Sequence, residues 1–239
     1  MKHVSLTPAV FHVPEEVNAV APRYAVNPIV PRGPKLAPIL ERLRDKIGRA
    51  LGSAESHVPV ILTCSGSGGI AAALGSCVPK PGILVVSNGA YGERQARFAE
   101  QLGMKVVHHQ LPYGERPDAA EVETLVVRYG VGAIGMVHGA TSTCSMNPIE
   151  EIGAVAHRHG LPFIVDAISS VFVDPIDLET IDVLVCSTNK GLHSNPDLGF
   201  VLVRRSLLEL VSQRPGRIPY LDLGEAYLAQ RKGSHPYTI

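Results

Sequence analysis

The stretch DVLVCSTNKGLHSNPDLGFVLVRR, residues 182–205, contains two apolar, β-branched runs joined by a short polar segment. Runs of this kind predict buried strands. The first run ends in the tetrapeptide STNK, which places Lys190 at the end of a strand. Burial can turn a lysine into a nucleophilic amine, whereas a lysine that reaches solvent has no chemical role. The lysine therefore has to be interpreted together with the rest of the chain.

Outside this stretch, apolar runs alternate with segments of helical periodicity. Their continuous apolarity indicates burial on both faces, which is typical of a mainly parallel sheet between two layers of helices. Upstream, residues 35–52 carry apolar side chains at helical spacing and end near a glycine, which predicts one amphipathic helix. The sequence thus predicts an α/β fold with about seven strands. The predicted strands lie in VPVILTC, GILVVS, KVVHHQL, VGAIGMVHG, PFIVDAISS, DVLVCST and GFVLVRR.

Composition limits the classes of partner. Hydrophobic residues make up 45% of the 239 residues, which is enough for a large core, and Lys plus Arg equal Asp plus Glu at 22 each. A balanced charge provides no basic field for a nucleic acid or an anionic membrane, so we expect a small-molecule partner or further copies of the chain. No signal peptide or membrane-spanning run is evident, and we expect a cytoplasmic protein. The cysteines lack metal-binding spacing, and no metal site is expected.

Polar and glycine-rich segments follow the predicted strands. In open α/β sheets, ligands bind beyond the carboxyl ends of the strands. A ligand site is therefore expected where these segments meet. They are SGSGG (65–69), SNGAYGER (87–94), HGATSTCSMNP (138–148), DAISS (166–170) and STNK (187–190).

Three of these segments together suggest a cofactor. SGSGG lies between a strand and a helix, where backbone N–H groups can approach a phosphate, although such glycine turns are also common without a ligand. Asp166 follows a buried strand and needs a cationic partner, unless it caps the next turn through Ser169 or Ser170. With Lys190, these are the parts that hold pyridoxal 5′-phosphate (PLP): an amine, a partner for the ring nitrogen and an anion anchor.

The sequence resembles the class V, fold-type I PLP-dependent aminotransferases, in particular the 2-aminoethylphosphonate:pyruvate and alanine:glyoxylate groups. The similar segments run in family order over nearly the whole chain, and the pair VDA and STNK and the segment NGAYGER are the most specific. The resemblance implies a fold-type I large domain over residues 56–239, preceded by an arm and helix over residues 1–55. The similar segments are LTPAVFHVPEEV, SGSGG, SNGAYGER, HGATSTCSMNPIEEIG, PFIVDAISS, PIDLETIDVLVCSTNKGL, LGFVLVRR and KGSHPYT.

The resemblance also implies roles for individual residues. Lys190 would form the Schiff base and move the substrate proton, and Asp166 would keep the ring nitrogen protonated. Tyr91 and Ile168 would pack on the two faces of the ring, and Thr238 would reach the phosphate of a neighbouring subunit in a homodimer. The full set implied to bind the cofactor is Ser67, Gly68, Gly69, Tyr91, Thr141, Asp166, Ile168, Ser187, Asn189, Lys190 and Thr238.

The sequence also departs from the family. Gly69 and Ala140 replace a hydroxyl and an acidic residue, and the C-terminal small domain that normally carries the substrate-binding arginine is expected to be absent. We expect an aminotransferase that acts on a small amine or amino acid and a keto acid. The alternatives are a lyase or decarboxylase, a catalytically silent homologue, or one subunit of a split enzyme whose small domain is a separate partner chain. Arg94 could contact substrate or form a salt bridge.

Overall fold

Seven strands form one sheet in the computed structural model, which describes residues 13–20 and 35–234. In chain order the strands are β1 (His57–Leu62), β2 (Gly82–Ser87), β3 (Lys105–Gln110), β4 (Ala133–Val137), the short separate pair β5 (Gly139–Ala140) and β6 (Ser145–Met146), β7 (Phe163–Asp166), β8 (Val183–Ser187) and β9 (Gly199–Arg204). The order across the main sheet is β1-β9-β8-β7-β4-β2-β3, and β9 runs opposite to the other six strands. This confirms the predicted mainly parallel sheet.

Helices cover both faces of the main sheet. Helix α2 (Ala37–Ala50) confirms the amphipathic helix predicted over residues 35–52, whereas the last two helices were not foreseen. None of the helices within the described ranges is long and apolar enough to cross a membrane. The remaining helices are α1 (Glu15–Asn18), α3 (Gly66–Cys77), α4 (Ala90–Gln101), α5 (Ala119–Tyr129), α6 (Ile149–Arg158), α7 (Arg205–Val211) and α8 (Leu223–Arg231), with a 3-10 turn at Pro219–Leu221.

The core consists of two apolar layers, one on each side of the sheet. Successive strand side chains point to opposite faces, so Val165 and Leu184 lie in one layer while Ile164 and Val185 lie in the other. All four of these side chains are fully buried, and each such burial contributes roughly 1.5–3 kcal/mol to folding. Because both faces of six of these strands are covered, they carry continuous apolar runs instead of alternating ones, and this is the pattern that made them recognisable. The edge strand β3 is only partly buried.

The sheet directs one set of polar residues to a single edge. Asp166 pairs with Val185 across β7 and β8, and Ser187 follows Val185 by two residues. All three side chains therefore lie on the same face of the sheet. Helix α3 packs on that face, since a Cβ on Gly69 would lie 2.9 Å from Val185. The N-terminus of α3 thus meets the carboxyl ends of β7 and β8.

Helix α2 is tied to the rest of the fold by a buried polar contact. Arg44 donates hydrogen bonds to the carbonyl of Pro59 at 3.1 Å and to Oε1 of Gln230 at 2.6 Å. These bonds join α2, β1 and α8.

The predicted boundary between an N-terminal segment, residues 1–55, and a large domain, residues 56–239, remains a prediction.

The four cysteines are free thiols. Cys77 and Cys186 are buried, and Cys64 is half-buried. Cys144 is exposed and lies on the loop between β5 and β6. It takes a left-handed conformation with φ of 53°, a region that favours glycine.

Candidate active site

A cavity of about 220 Å³ opens at the carboxyl edge of the sheet. Most of the residues predicted to bind the cofactor line it: Ser67, Tyr91, Thr141, Asp166, Ile168, Ser187, Asn189 and Lys190. Gly68 and Gly69 do not line the cavity and lie in the first turn of α3 behind it. Thr238 lies outside the described residues. The walls also include Ser65, Gly66, Arg94, Val137, Gly139, Ser169 and Pro196.

Asp166 is the last residue of β7 and is only 5% exposed. Burial raises the pKa of its carboxyl group to about 6, because the charged form loses solvation. A 3.0 Å hydrogen bond from the backbone N–H of Ile168 and the charge of Arg94 act in the opposite direction. The carboxylate therefore bonds to its own turn, but through Ile168 and not through Ser169 or Ser170 as the alternative interpretation expected.

The two serines after Asp166 bind neighbouring segments instead. The Ser169 hydroxyl donates to the carbonyl of Gly139 at 2.7 Å. Ser170 lies 2.9 Å from Nδ1 of His138, a buried histidine whose pKa is lowered by burial. These contacts fix the turn that follows β7 against the end of β4. The Asp166 carboxylate is thus held on a rigid turn.

Lys190 lies in the loop that follows β8, where it is half-buried and lines the cavity. The loop is closed by hydrogen bonds between backbone groups. The N–H of Thr188 donates to the carbonyl of Leu198 at 3.1 Å, and the N–H of Ser194 donates to the carbonyl of Thr188 at 3.0 Å. The N–H of His193 donates to the carbonyl of Lys190 itself at 2.8 Å. The lysine at the end of a buried strand is therefore positioned within the cavity and not on the open surface.

The glycine-rich turn begins α3 beside the cavity. Ser65 is its N-cap, and its hydroxyl accepts a 3.4 Å hydrogen bond from the N–H of Gly68. The N–H of Gly69 donates to the carbonyl of Ser65. The N–H groups of Gly66 and Ser67, both cavity-lining residues, have no partner within the helix because they precede its first hydrogen bond. This end of α3 can therefore bind an anion.

Two side chains on α4 form another wall of the cavity. The Tyr91 ring is 37% exposed, and the guanidinium carbon of Arg94 lies 4.5 Å from the ring centroid. Gly92 allows this helix to approach β2, since a Cβ there would lie 2.9 Å from the Cα of Ser87. Within the described residues, Arg94 makes no ion pair with a carboxylate. The described residues therefore provide no salt-bridge partner for Arg94.

The N-terminus of α4 is capped from a different segment. Its N-cap residue, Gly89, has no side chain, and the hydroxyl of Ser142 accepts the N–H of Ala90 at 3.1 Å. Ser142 lies in the loop between β5 and β6, next to the cavity-lining Thr141. This contact therefore fixes the positions of Tyr91 and Thr141 relative to each other.

Ser187 is the most unusual group in the cavity wall. It is 1% exposed, and its hydroxyl has no hydrogen-bond partner among the residues that the structure describes. A buried hydroxyl without a partner costs roughly 1–3 kcal/mol. A polar ligand in the cavity would remove that cost by bonding to the hydroxyl.

Sequence reasoning did not assign several residues of the wall. Ser65, Gly66 and Ser169 lie within the polar segments that were singled out, but the family motifs gave them no role. The Ser65 cap could have been recognised, because a serine directly before a helix is a common N-cap signal. Arg94 could not be assigned, because the sequence does not show which carboxylates lie near it.

The described residues that line the cavity carry an excess of positive charge. Their charged side chains are Asp166, Arg94 and Lys190, and the N-terminus of α3 adds a partial positive charge. Two cations and one carboxylate favour an anionic ligand that also carries a cationic or proton-bearing atom.

The chain is similar to known aminotransferases. The model of the family described as aminotransferase class-V matches residues 20–217. The 2-aminoethylphosphonate–pyruvate transaminase of Salmonella paratyphi A is 38% identical over 191 residues, which cover 77% of this chain and 51% of that protein. The enzyme of the same description from Salmonella typhimurium is 38% identical over 176 residues, which cover 71% of this chain and 47% of that protein. The chain thus spans about half the length of the relatives it matches.

Solved structures show the same fold. The subgroup IV aspartate aminotransferase of Thermus thermophilus superimposes with a TM-score of 0.84 at 25% identity, over 98% of this chain and 65% of that chain. The ureidoglycine–glyoxylate aminotransferase of Bacillus subtilis gives a TM-score of 0.86 at 20% identity, over 97% of this chain and 61% of that chain. The sheet and its helices therefore have the fold-type I architecture.

Proposed function

The chain belongs to the aminotransferase class V family, and from this premise we propose that it binds PLP in the cavity and transfers an amino group from a small amine or amino acid to a keto acid. The observation that carries the proposal is that Asp166 and Lys190, from the ends of adjacent strands, line one cavity. When bound, PLP supplies an electron sink that stabilises negative charge on the substrate carbon.

The groups of the cavity fit the polar atoms of PLP. The buried carboxylate of Asp166 would accept a hydrogen bond from the protonated ring nitrogen and so keep the proton on that nitrogen. The N–H groups of Gly66 and Ser67 at the start of α3 would hold the phosphate. The hydroxyl of Ser187, which lacks a partner in the described part of the protein, would gain one. Tyr91 and Ile168 supply apolar surface for the ring.

Lys190 is the proposed catalytic base. Its amine would attach the cofactor covalently and, once displaced by the substrate amine, would hold and move the proton of the substrate carbon. The closed loop between Thr188 and Leu198 keeps this amine at the cavity. Asn189, which precedes Lys190, and Thr141 also line the cavity and would hydrogen-bond to the cofactor.

The charge of the cavity supports a substrate with an anionic group. Arg94 would still provide a positive charge once Lys190 is attached to the cofactor, and that charge would attract a carboxylate or phosphonate. The named relatives act on 2-aminoethylphosphonate and pyruvate, and this pair is the first to test here.

We also propose a homodimer in which Thr238 reaches the phosphate of the neighbouring subunit. The support is the resemblance of its PYT segment to the family motif. Cross-linking and sedimentation of wild type and Thr238→Ala would test it, with a dimer and weaker cofactor binding of the variant expected. The cytoplasmic location expected from the sequence is part of the proposal, and cell fractionation tests it.

The first experiment measures cofactor attachment. The purified chain is titrated with PLP, reduced with sodium borohydride, digested and mapped by mass spectrometry. We expect visible absorbance from the bound cofactor and a single modified residue, Lys190. Lys190→Ala should lose the attachment, and the exposed Lys105→Ala on β3 serves as the matched control. A chain that remains colourless with added PLP, or that is modified at other lysines only, would refute the proposal.

A second experiment addresses the reaction. The PLP-loaded chain is mixed with 2-aminoethylphosphonate, alanine or aspartate and with pyruvate or glyoxylate, and keto and amino products are measured. Amino transfer with one pair supports the proposed reaction. Loss of carbon dioxide or of a leaving group instead would favour a decarboxylase or lyase. Cofactor binding without turnover would favour a silent homologue or a separate partner chain that holds the substrate.

A further inference from the structure

We propose that Arg94 is a positioning residue whose guanidinium group orients the Tyr91 ring and offsets the charge of the Asp166 carboxylate. The inference rests on the proposed function, because both partners of Arg94 are residues that would contact PLP. It goes beyond that function by assigning a role to a side chain that would touch neither the reacting carbon nor the attachment point.

The first observation is the contact with Tyr91. The two residues are three positions apart on α4, so their side chains lie on the same side of the helix. The guanidinium carbon is 4.5 Å from the ring centroid, which is within the range of an attractive cation–π contact. Tyr91 is partly exposed and would otherwise rotate more freely. The guanidinium group therefore restricts the ring to one orientation at the cavity wall.

The second observation is the position of Arg94 relative to Asp166. Both residues line the cavity, and the charge of Arg94 lowers the pKa of the carboxyl group that burial raises. Arg94 has no carboxylate within ion-pair distance in the described part of the chain, so its charge is not neutralised locally. Its field therefore acts on the buried carboxylate.

The other groups around Asp166 do not replace Arg94. The backbone N–H of His138, at the end of β4, donates to the carbonyl of Asp166, and burial keeps the pKa of this imidazole low. Cys186 on β8 is a buried thiol whose pKa is raised well above its usual value. Lys190, beyond β8, also lines the cavity, but its amine would be consumed when the cofactor is attached. The polar residues of α3 at the cavity are uncharged. Arg94 is then the side chain that still provides positive charge.

The first test needs no cofactor. The chain is labelled with ¹³C at aspartate carboxyl groups, and the Asp166 signal is identified by its loss in Asp166→Asn. Titration is followed in wild type, Arg94→Gln, Arg94→Lys and Arg97→Gln. Arg97 is exposed on the same helix and serves as the control. We expect the Asp166 midpoint to rise in Arg94→Gln and to stay near the wild-type value in Arg94→Lys and Arg97→Gln. Equal midpoints in all four proteins would overturn the electrostatic role.

The second test measures PLP affinity by absorbance. Arg94→Gln should weaken PLP binding by about tenfold, because it removes both the contact with the Tyr91 ring and the positive charge near Asp166. Arg94→Lys keeps the charge but loses the flat guanidinium group, and we expect about threefold weaker binding. When Tyr91 has already been replaced by Leu, Arg94→Lys should no longer weaken PLP binding. If Arg94→Lys weakens binding equally with and without Tyr91, the orienting role is refuted.

The outcomes separate the two proposals. If wild type fails to bind PLP, the proposed function fails, while the carboxyl titration still tests the link between Arg94 and Asp166. If wild type binds PLP and Arg94→Gln matches Arg97→Gln in both tests, the inference alone fails. If Arg94→Gln does not fold, Arg94→Lys with and without Tyr91 still decides the orienting role, and Arg94→Met in the carboxyl titration replaces Arg94→Gln for the electrostatic role.

Discussion

Asp166 and Lys190 line one cavity although β7 and β8 each end in a separate loop. Parallel strands bring their carboxyl ends to the same edge, so the pairing of Asp166 with Val185 also fixes where the loop after Ser187 begins. The carboxylate is buried against the sheet, and the lysine is held by the loop that closes on Leu198. A cofactor that bridges the two groups would therefore bind to a prearranged site.

Replacing Asp166 with Asn should stabilise the cofactor-free protein at neutral pH. Burial raises the pKa of Asp166 from 3.8 to about 6, so the folded state binds this proton more tightly than the unfolded chain. The stability of wild type relative to the variant should therefore fall as the pH rises from about 4 to about 6, by about 3 kcal/mol in total. Urea unfolding of both proteins at about pH 4 and about pH 7 measures this. A difference between them that does not change with pH would refute the expectation.

Ser187→Ala should raise the stability of the cofactor-free protein and weaken PLP binding. The change removes a buried hydroxyl without a partner in the described structure, so we expect a gain of about 1 kcal/mol or more. Ser170→Ala is the matched control, because the Ser170 hydroxyl is buried but bonded to His138, and its loss should destabilise by about 1 kcal/mol. Urea unfolding and PLP titration of both variants give the comparison. We expect the free energy of unfolding to rise in Ser187→Ala and to fall in Ser170→Ala. An equal fall in both variants would show that the Ser187 hydroxyl has a hydrogen-bond partner.

Gly66→Ala should weaken PLP binding and destabilise the protein, because the added methyl group would displace Ile168 in the cavity wall. A Cβ at position 66 would lie 2.6 Å from Cδ1 of Ile168, so the isoleucine would have to move within the cavity wall. We expect about tenfold weaker PLP binding and a stability loss of about 1–3 kcal/mol, as for overpacked cores. Ile168→Val removes the clashing methyl group, and the double variant should recover most of the lost affinity. If the second substitution adds to the defect, the proposed clash is not its cause.

Ser142→Ala should loosen the start of α4. The hydroxyl accepts the N–H of Ala90, and losing an N-cap contact typically costs about 1 kcal/mol. Because Tyr91 follows directly and Thr141 precedes Ser142, PLP affinity should fall as well. Ser142→Thr keeps an acceptor and should retain wild-type stability in urea unfolding. A Ser142→Thr variant as unstable as Ser142→Ala would indicate packing instead of capping.

The sequence was most informative where burial was continuous. Six of the seven strands of the main sheet have both faces covered, which leaves a run of apolar residues that predicts them. The edge strand β3 is partly exposed and has only a short apolar pair, Val106 and Val107. The two-residue strands β5 and β6 are too short to show any periodicity. Helix α8 was missed because it buries a polar side chain, Gln230, which bonds to Arg44 and to the backbone of β1. Such a helix lacks a clear apolar stripe.

The site was predictable to the level of segments and family motifs. The polar segments after the strands meet at one edge because the topology of a parallel sheet requires it. What the sequence did not contain was the network between segments. The cap that Ser142 gives to α4, the Arg94 contact with Tyr91 and the missing partner of Ser187 all depend on which side chains become neighbours in three dimensions.

The antiparallel strand β9 also has a consequence for how the protein folds. It pairs with β1 on one side and β8 on the other, so the first strand of the sheet joins the others only through the last one. Ser65 and Ser67 follow β1, whereas Asp166 and Lys190 follow β7 and β8. During synthesis on the ribosome, β1 would therefore gain its strand partner only after residue 204 has emerged. Until then the anion-binding turn would be held near the lysine by the packing of α3 on β8 and not by the sheet, so the complete site should become stable late as the nascent chain grows.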